Sequence, residues 1–136
     1  MGLTVKRTIT VLAIVTEQFR EELKAELQDA IEATQRRVDQ MDFQSRRYLA
    51  DLQTTDISQA MNARRQIEAE KRRQEAFKQD LHQQLAEADK LELDSEFPRG
   101  NIEGTVDLNV GDDLMKKAAG TTIVVKDGVI IEIRED

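Results

Sequence analysis

The chain has 136 residues, a net charge of −7 and no cysteine, and these values already exclude several classes of protein. A chain of this length normally makes one domain, and without cysteine it forms neither disulfides nor thiolate metal sites. Charged residues make up 35% of the chain and aromatic residues 4%, which is typical of long or coiled helices. The negative charge favours solubility and disfavours a protein that is basic throughout. The absence of cysteine fits a reducing compartment, and we expect a cytoplasmic protein.

The first segment, Leu3–Val15, alternates apolar and polar residues and is rich in β-branched side chains, which predicts a β-strand. A short apolar run follows Lys6-Arg7, but Thr10 interrupts it and no cleavage site follows. We therefore expect neither a signal peptide nor a membrane span. Thr16 is expected to cap the helix that comes next.

The long middle of the chain consists of helix-forming residues with one interruption at Gln53–Asp56. The interruption separates two arms of nearly equal length, roughly Glu17–Leu52 and Ile57–Leu93. Because equal arms return the chain to its starting point, they predict an antiparallel helical hairpin with its tip near residues 53–56. Apolar residues recur along the arms at the 3-4 spacing of a coiled-coil seam. This periodicity argues against disorder, which the high charge would otherwise favour.

The seam of this hairpin is predicted to be partly polar. Folding about residues 54–55 pairs positions whose numbers sum to about 109. The first arm then contributes Ile31, Thr34, Val38, Met41, Ser45, Tyr48 and Leu52. The second arm contributes Ile57, Met61, Ile67, Phe77, Leu81, Leu85, Ala88 and Leu91. Four polar residues also fall near buried positions: Arg64, Lys71, Gln74 and Lys78. Since two helices this polar are weakly held alone, we expect a homo-oligomer assembled through the arms or the sheet edges. The hairpin closes within one chain or is swapped between chains.

Three further strands are expected after the helices: Ile102–Val110, Thr122–Lys126 and Val129–Arg134. Pro98 and Gly100 are expected to end the second helix and to begin an extended segment. Asp127-Gly128 lies between two β-branched runs, which predicts a β-hairpin with a type I′ turn.

These elements predict an α+β fold. A long antiparallel helical (coiled-coil) hairpin is inserted between strand 1 and the remaining strands of a small twisted β-sheet or partly closed barrel. Residues 1–15 and 98–136 would form the β-domain, and residues 16–97 the hairpin. A sheet of this size is marginally stable alone.

Three C-terminal runs resemble the YlqD family of bacterial proteins: Gly100–Gly104, Val110–Asp112 and Ile123–Ile130. The order of elements is similar as well, with an N-terminal strand, a charged helical middle and a glycine-punctuated tail. The resemblance covers the whole chain. The family has no established activity, so it supplies no catalytic residues. In some bacteria its genes lie near those for ribosome maturation, which implies RNA or the ribosome as a candidate partner.

Residue types that commonly carry catalysis or bind metals occur here without the neighbours they need. His82 is the only histidine and lacks the second histidine or cysteine of a zinc site. Asp107, Asp112 and Asp113 do not match the spacing of an EF-hand loop. Asp112 or Asp113 is instead expected to cap a short helix at Leu114–Ala118. The sequence therefore predicts no catalytic, cofactor-binding or metal site, and we expect a non-enzymatic protein.

Four arginine doublets are the candidate contact residues for nucleic acid or another partner: Arg36, Arg37, Arg46, Arg47, Arg64, Arg65, Arg72 and Arg73. In the expected register the two outer doublets face each other, and so do the two inner ones. Residues 36–73 carry nine Lys or Arg and six Asp or Glu, a net charge of +3, which leaves −10 for the rest. This polarity would direct the distal hairpin to a phosphate backbone. The competing interpretation is a solvated helix with i,i+4 pairs such as Glu68–Arg72. No aromatic residue interleaves with the doublets, which argues against base stacking.

Two functions remain open at this point. The first is a non-enzymatic structural or interaction protein, an oligomeric coiled-coil scaffold or adaptor whose helical hairpin contacts a macromolecular partner. The second is an RNA- or ribosome-associated factor that binds the phosphate backbone through the basic distal half of the hairpin.

Overall fold

A computed structural model of the protein describes residues 1–135. Its elements are β1 (Gly2–Ile14), α1 (Glu17–Thr55), α2 (Ile57–Ala88), β2 (Glu96–Asn109), α3 (Leu114–Ala118), β3 (Thr121–Lys126) and β4 (Val129–Glu135). The chain divides into two compact units, one formed by Met1–Glu21 with Leu91–Asp136 and the other by Glu22–Lys90. The α+β class and the helical hairpin between the first strand and the other strands are confirmed.

The four strands form one mixed sheet in the order β2-β1-β3-β4. β1 pairs antiparallel with β2 and parallel with β3, and β3 pairs antiparallel with β4. The parallel pair needs a crossover connection, and α3 lies within it. β2 and β4 are edge strands that do not pair with each other, so the sheet is open. The predicted sheet is therefore present, but it is not closed into a partial barrel.

One ion pair reaches across a face of this sheet from edge to edge. Arg134 on β4 donates hydrogen bonds to both carboxylate oxygens of Glu96 on β2, at 2.5 and 3.1 Å. In a flat sheet, strands three positions apart would lie about 14 Å apart, so this contact requires a strongly curved sheet. The hydrogen bond from Arg134 lowers the pKa of Glu96, and the same bond raises the pKa of Arg134. Side chains thus connect two edges that the backbone leaves unpaired.

The second helix ends at Ala88, earlier than predicted, and Pro98 and Gly100 lie within β2. Proline is tolerated on an edge strand because no neighbouring strand needs its missing N–H. Gly100 has a φ of +109° beside the irregularity where the β1–β2 register shifts, and glycine adopts that conformation at low cost. Both residues therefore belong to a strand irregularity, and the prediction that they end the helix is wrong.

Thr16 joins the start of α1 to the turn between β3 and β4. Its hydroxyl accepts a hydrogen bond from the Phe19 N–H at 3.0 Å and donates one to Asp127 Oδ1 at 2.6 Å. Asp127 and Gly128 have φ values of +49° and +84°, as a type I′ turn requires. The predicted cap and the predicted turn are both confirmed, and one hydroxyl connects them.

Aromatic packing adds to this junction. The Phe19 and Phe97 ring centroids are 5.3 Å apart, in the range of stabilising aromatic pairs. The Arg99 guanidinium lies 5.3 Å from the centroid of the Phe19 ring, within cation–π distance. Phe19 itself is buried. The first turn of α1 is thereby held against β2.

In the hairpin unit, a single residue, Asp56, separates α1 from α2. Asp56 is extended, and its side chain accepts a hydrogen bond from the Gln59 N–H at 3.2 Å. It therefore caps α2, which explains how the chain reverses here. The interruption was predicted at residues 53–56, but α1 continues to Thr55 before it ends.

The buried stripe of the hairpin differs in part from the predicted seam. In α1 the buried residues include Leu23, Leu27, Thr34, Val38 and Ser45, with Leu49 and Leu52 half-buried. In α2 the buried or half-buried residues recur every seven positions at Ala60, Ile67, Gln74, Leu81 and Ala88. Four residues predicted in the seam are exposed: Tyr48, Ile57, Met61 and Phe77. The prediction followed hydrophobicity, whereas the small side chain of Ala60 is the one buried near the tip. Of the four polar residues expected there, Lys71, Gln74 and Lys78 are half-buried and Arg64 is exposed.

Replacing Thr16 by alanine should destabilise the sheet unit. Thr16→Ala removes the helix cap and the hydrogen bond to Asp127, and we expect a loss of about 1–2 kcal/mol in the free energy of unfolding. Urea denaturation followed by circular dichroism measures this loss. Thr16→Ser is the matched control, since it keeps the hydroxyl and should stay close to the unsubstituted protein. An equal loss in both variants would show that the methyl group matters more than the hydrogen bonds.

Candidate functional site

Three polar contacts between α1 and α2 define the register of the hairpin. Lys24 contacts Asp89 at 2.9 Å, Lys78 donates to Gln35 Oε1 at 2.8 Å, and Lys71 pairs with Asp42. The residue numbers 24 and 89, 35 and 78, and 42 and 71 each sum to 113. The predicted sum of about 109 is therefore wrong by four residues, about one helical turn. All three contacts join α1 to α2.

The corrected register changes the arrangement of the eight candidate arginines. Position 36 now lies opposite position 77, and position 46 opposite position 67, given the pairs at 35 and 78 and at 42 and 71. No arginine doublet therefore faces another, contrary to the prediction. The eight residues remain exposed on the distal hairpin: Arg36, Arg37, Arg46, Arg47, Arg64, Arg65, Arg72 and Arg73.

Most of these arginines are not neutralised by a carboxylate. Of the eight candidates, only Arg73 forms an ion pair with a residue in the range 1–135, namely Glu70, and Arg37 donates to the Ala33 carbonyl oxygen of its own helix. The expected pair between Glu68 and Arg72 does not form. Seven of the eight guanidinium groups are thus exposed to solvent without a carboxylate partner.

Arg73 is the candidate arginine that forms an ion pair, and this pairing affects the pKa of its partner, Glu70. Glu70 accepts a hydrogen bond from the Gln74 side chain at 3.0 Å and one from Arg73 Nε at 2.9 Å. The hydrogen bond from Gln74, followed by the hydrogen bond and charge of Arg73, lowers the pKa of Glu70. The Glu70 carboxylate therefore offsets the charge of Arg73.

An aromatic surface lies on the outer side of α1, close to the tip. Phe43 is 74% exposed and Tyr48 55% exposed, and both border a shallow cavity of about 550 Å³. The remaining lining residues are Gln40, Gln44, Arg47 and Asp51. We call these six residues the outer α1 surface. Since a helix repeats every 3.6 residues, their numbering places them on one side of α1.

This surface brings aromatic rings and arginine together, contrary to the prediction that no aromatic residue interleaves with the doublets. Phe43 lies one helical turn before Arg47, and Tyr48 directly follows Arg47. Arg36 also falls on this side, since it precedes Arg47 by eleven residues, close to three full turns. The aromatic residues therefore do interleave with the doublets. The i,i+4 spacing of Phe43 and Arg47 already indicates in the sequence that the two residues share a helix side. The predicted seam, however, assigned Tyr48 to the buried side of α1.

The other candidate residues have structural or unremarkable surroundings. His82 is exposed on α2. Asp113 caps α3 by accepting a hydrogen bond from the Lys116 N–H at 3.2 Å, as predicted. Asp112 accepts one from the Asn109 N–H at 2.8 Å. Among residues 1–135, no three His, Cys, Asp or Glu side chains are grouped closely enough to hold a metal ion.

In the described part of the chain, no helix combines the length and the apolar character needed to cross a membrane.

A helical hairpin inserted after the first strand of a mixed four-stranded sheet defines a class of small α+β proteins, and known proteins share this arrangement. The chain matches the YlqD protein family over residues 3–134 and belongs to that family. It is 30% identical over 130 residues to the uncharacterized protein YlqD of Bacillus subtilis (strain 168), covering 93% of this chain and 94% of that protein. It is also similar to a crystal structure of a protein of unknown function from Synechococcus sp. WH 8102. That comparison has a TM-score of 0.82 and 30% identity, and it covers 99% of this chain and 96% of the other.

The register of the hairpin can be tested by exchanging charges. Lys71→Glu places two carboxylates beside each other at the pair with Asp42, and we expect lower hairpin stability. Adding Asp42→Lys should restore about 0.5 kcal/mol, as is usual for partly exposed pairs. Thermal unfolding of the four variants of this double-mutant cycle gives the coupling energy.

The matched control combines Asp42→Lys with Lys78→Glu, because Lys78 contacts Gln35 rather than Asp42. We expect no coupling in that pair. Equal coupling in both cycles would contradict the register.

Proposed function

We propose that this protein is a non-enzymatic interaction protein, an oligomeric coiled-coil scaffold or adaptor whose helical hairpin contacts a macromolecular partner through the outer α1 surface. The observation that carries the proposal is the exposure of Phe43 and Tyr48 beside a cavity on a helix that is otherwise highly charged. Single exposed apolar residues are ordinary, but clustered aromatic residues with a polar rim are characteristic of interfaces.

Burial energetics favour this surface as an anchor. Removing apolar area from water contributes roughly 25 cal/mol per Å², and a phenylalanine side chain at 74% exposure retains most of its area for a partner. Interface energy is usually concentrated in a few aromatic and arginine residues. Phe43, Arg47 and Tyr48 provide this combination within two turns of one helix.

The coiled-coil part of the proposal is supported by the buried residues of α2. Their seven-residue spacing is the repeat that keeps a seam facing its partner helix. Half-buried Lys71, Gln74 and Lys78 interrupt the apolar repeat, and polar residues in a seam weaken a helix pair while restricting its register.

Assembly into a homo-oligomer is supported by the sheet. Edge strand β4 exposes four apolar side chains, Val129, Ile130, Ile131 and Ile133. An exposed edge strand also offers unpaired N–H and C=O groups to a further strand. Association of copies along β4 would bury these side chains and satisfy the backbone groups together.

A photo-crosslinking residue at position 43 tests the hairpin contact. We expect benzoylphenylalanine in place of Phe43 to give a discrete adduct with one macromolecule when cells of the native host are irradiated. With that molecule purified, Phe43→Ala should weaken its binding about tenfold, as for a central interface residue. Folding should not change, since this side chain is mostly in solvent.

Phe77 provides the matched control, because it is also an aromatic residue of the hairpin and is 48% exposed, but it lies outside the outer α1 surface. Benzoylphenylalanine there should not give the same adduct. The same adducts at both positions would show non-specific contact and contradict the proposal, and an adduct with RNA alone would favour the second function.

A role as an RNA- or ribosome-associated factor is the second candidate. The specific observation in its favour is the set of seven unpaired arginines, of which Arg36 and Arg47 share a helix side with Phe43. Arginine binds phosphate with bidentate geometry, and aromatic rings stack on bases in single-stranded segments. The distal half of the hairpin, residues 36–73, carries a net charge of +3 on an otherwise acidic chain, so nucleic-acid contact would be restricted to this part of the molecule.

Co-sedimentation with ribosomal subunits over a salt series tests this second function. We expect binding that weakens steeply as salt rises and that is lost in the variant Arg46→Glu/Arg47→Glu. The control variant Lys90→Glu/Lys126→Glu changes the net charge equally at exposed residues outside the outer α1 surface, and it should still bind. If neither variant binds less, or if the unsubstituted protein does not sediment at low salt, the arginines have no such role.

A further inference from the structure

A cationic cavity lies on the sheet unit, and none of its lining residues belongs to the outer α1 surface. It has a volume of about 540 Å³, within the range of small-molecule sites. Its charged lining residues are Arg7, Lys116, Lys117 and Glu135. Three cations and one carboxylate give the cavity a net charge of +2, although the whole chain carries −7.

The fold places these charges together from distant parts of the sequence. Arg7 lies on β1, the two lysines lie on α3, and Glu135 lies at the end of β4. The cross-strand neighbour of Arg7 is Gly104, which has no side chain to pair with a guanidinium. No ion pair involving Arg7, Lys116 or Lys117 exists with any residue in the range 1–135. Because Glu135 is the one carboxylate in the lining, an excess of positive charge remains, and an anionic ligand would offset it.

Two of the lining residues, Arg7 and Thr121, each carry a buried polar atom that has no hydrogen-bond partner. Thr121 is only 5% exposed, and its Oγ1 is unpartnered, as is the buried Nε of Arg7. Thr121 pairs with Ile9 in the sheet, and Arg7 is two residues from Ile9, so both side chains lie on one face. Leaving such atoms without partners costs free energy, and native proteins seldom do so. A hydroxyl and a guanidinium N–H are the donors that bind a phosphate oxygen.

We propose that this cavity binds a small molecule that carries a phosphate monoester. The phosphate group accepts hydrogen bonds from Arg7 and Thr121, and its dianionic charge offsets the net charge of the lining. The Glu135 carboxylate accepts hydrogen bonds, so it selects hydroxyl groups on the rest of the ligand. The volume exceeds that needed for phosphate alone, and Val106 and Ala119 provide the apolar part of the wall. The ligand class is therefore a phosphorylated, hydroxyl-bearing metabolite.

Titration of the isotopically labelled full-length chain by NMR tests this site at constant ionic strength. The probes are ribose 5-phosphate, inorganic phosphate and ribose. We expect ribose 5-phosphate to shift the amide signals of Arg7 and of Lys116–Thr121, and ribose alone to shift none. Shifts by either phosphate compound confined to these residues support the site. The absence of such shifts with both, or the same shifts with sodium chloride, overturns it.

Two variants separate binding from folding. Lys116→Gln/Lys117→Gln changes one exposed and one half-buried side chain of a short helix, and we expect about tenfold weaker binding of ribose 5-phosphate. Thr121→Val keeps the shape of the side chain and removes the hydroxyl, and it should also weaken binding. The matched control Lys90→Gln/Lys126→Gln should bind like the unsubstituted protein. Equal affinity in all variants overturns the proposal. None of these changes involves the outer α1 surface, so the result is independent of the hairpin function.

Discussion

The pairing of β1 with two later strands is the constraint on which the rest of the molecule depends. β1 lies inside the sheet, where it hydrogen-bonds to β2 on one side and to β3 on the other. Both partners follow the entire helical insertion in the sequence. The sheet can therefore form only when α1 and α2 return the chain to the point where it left. Two helices joined through a single extended, capping residue, Asp56, satisfy this requirement.

Long-range pairing of this kind carries a loop-closure cost that grows only slowly with the length of the insertion. The short contacts at the junction offset part of it. Thr16 connects the start of α1 to the β3–β4 turn, and Phe19 packs against Phe97. Arg134 and Glu96 connect the two edge strands across the curved sheet. Each of these contacts includes a residue close to the point where the chain leaves the sheet unit (Thr16, Phe19) or re-enters it (Glu96, Phe97). The contacts therefore help to specify how the strands pair.

Charge has different roles in the two units. In the hairpin, half-buried Lys71 and Lys78 are satisfied by Asp42 and Gln35, so polar residues in the stripe specify a register rather than add strong cohesion. The exposed arginines of the hairpin have almost no such partners. In the sheet unit, Arg7, Lys116 and Lys117 meet around a cavity without pairing. An acidic chain thus has groups of cations without carboxylate partners both in the hairpin and in the sheet unit.

Local features of the sequence determined most of the secondary structure. The alternation of Leu3–Val15, the cap at Thr16 and the Asp127-Gly128 turn all act over a few residues, so their physical signals are contained in those residues. The two near-equal arms predicted the hairpin, because helix propensity and the interruption at residues 53–56 are local signals as well. Family membership followed from the C-terminal runs. The open sheet and the strand irregularity at Gly100 were not evident, because they depend on which strands become neighbours.

Tertiary structure decided the register and the surfaces. A shift of four residues between two helices preserves the hydrophobic periodicity of each helix, so periodicity alone does not determine the register. Facing residue numbers were predicted to sum to about 109, whereas the contacts between α1 and α2 give 113. Each residue turns a helix by about 100°, so a small error in the predicted seam changes which residues face the core. The predicted seam included Tyr48, whereas the structure places this residue on the outer α1 surface. The cavity at Arg7 and Thr121 combines residues from β1, α3, β3 and β4, and no spacing in the sequence indicates it. The sequence by itself determined the local secondary structure, because its physical causes lie within a few residues. The candidate sites depend on the tertiary structure, because it brings residues that are distant in the sequence together.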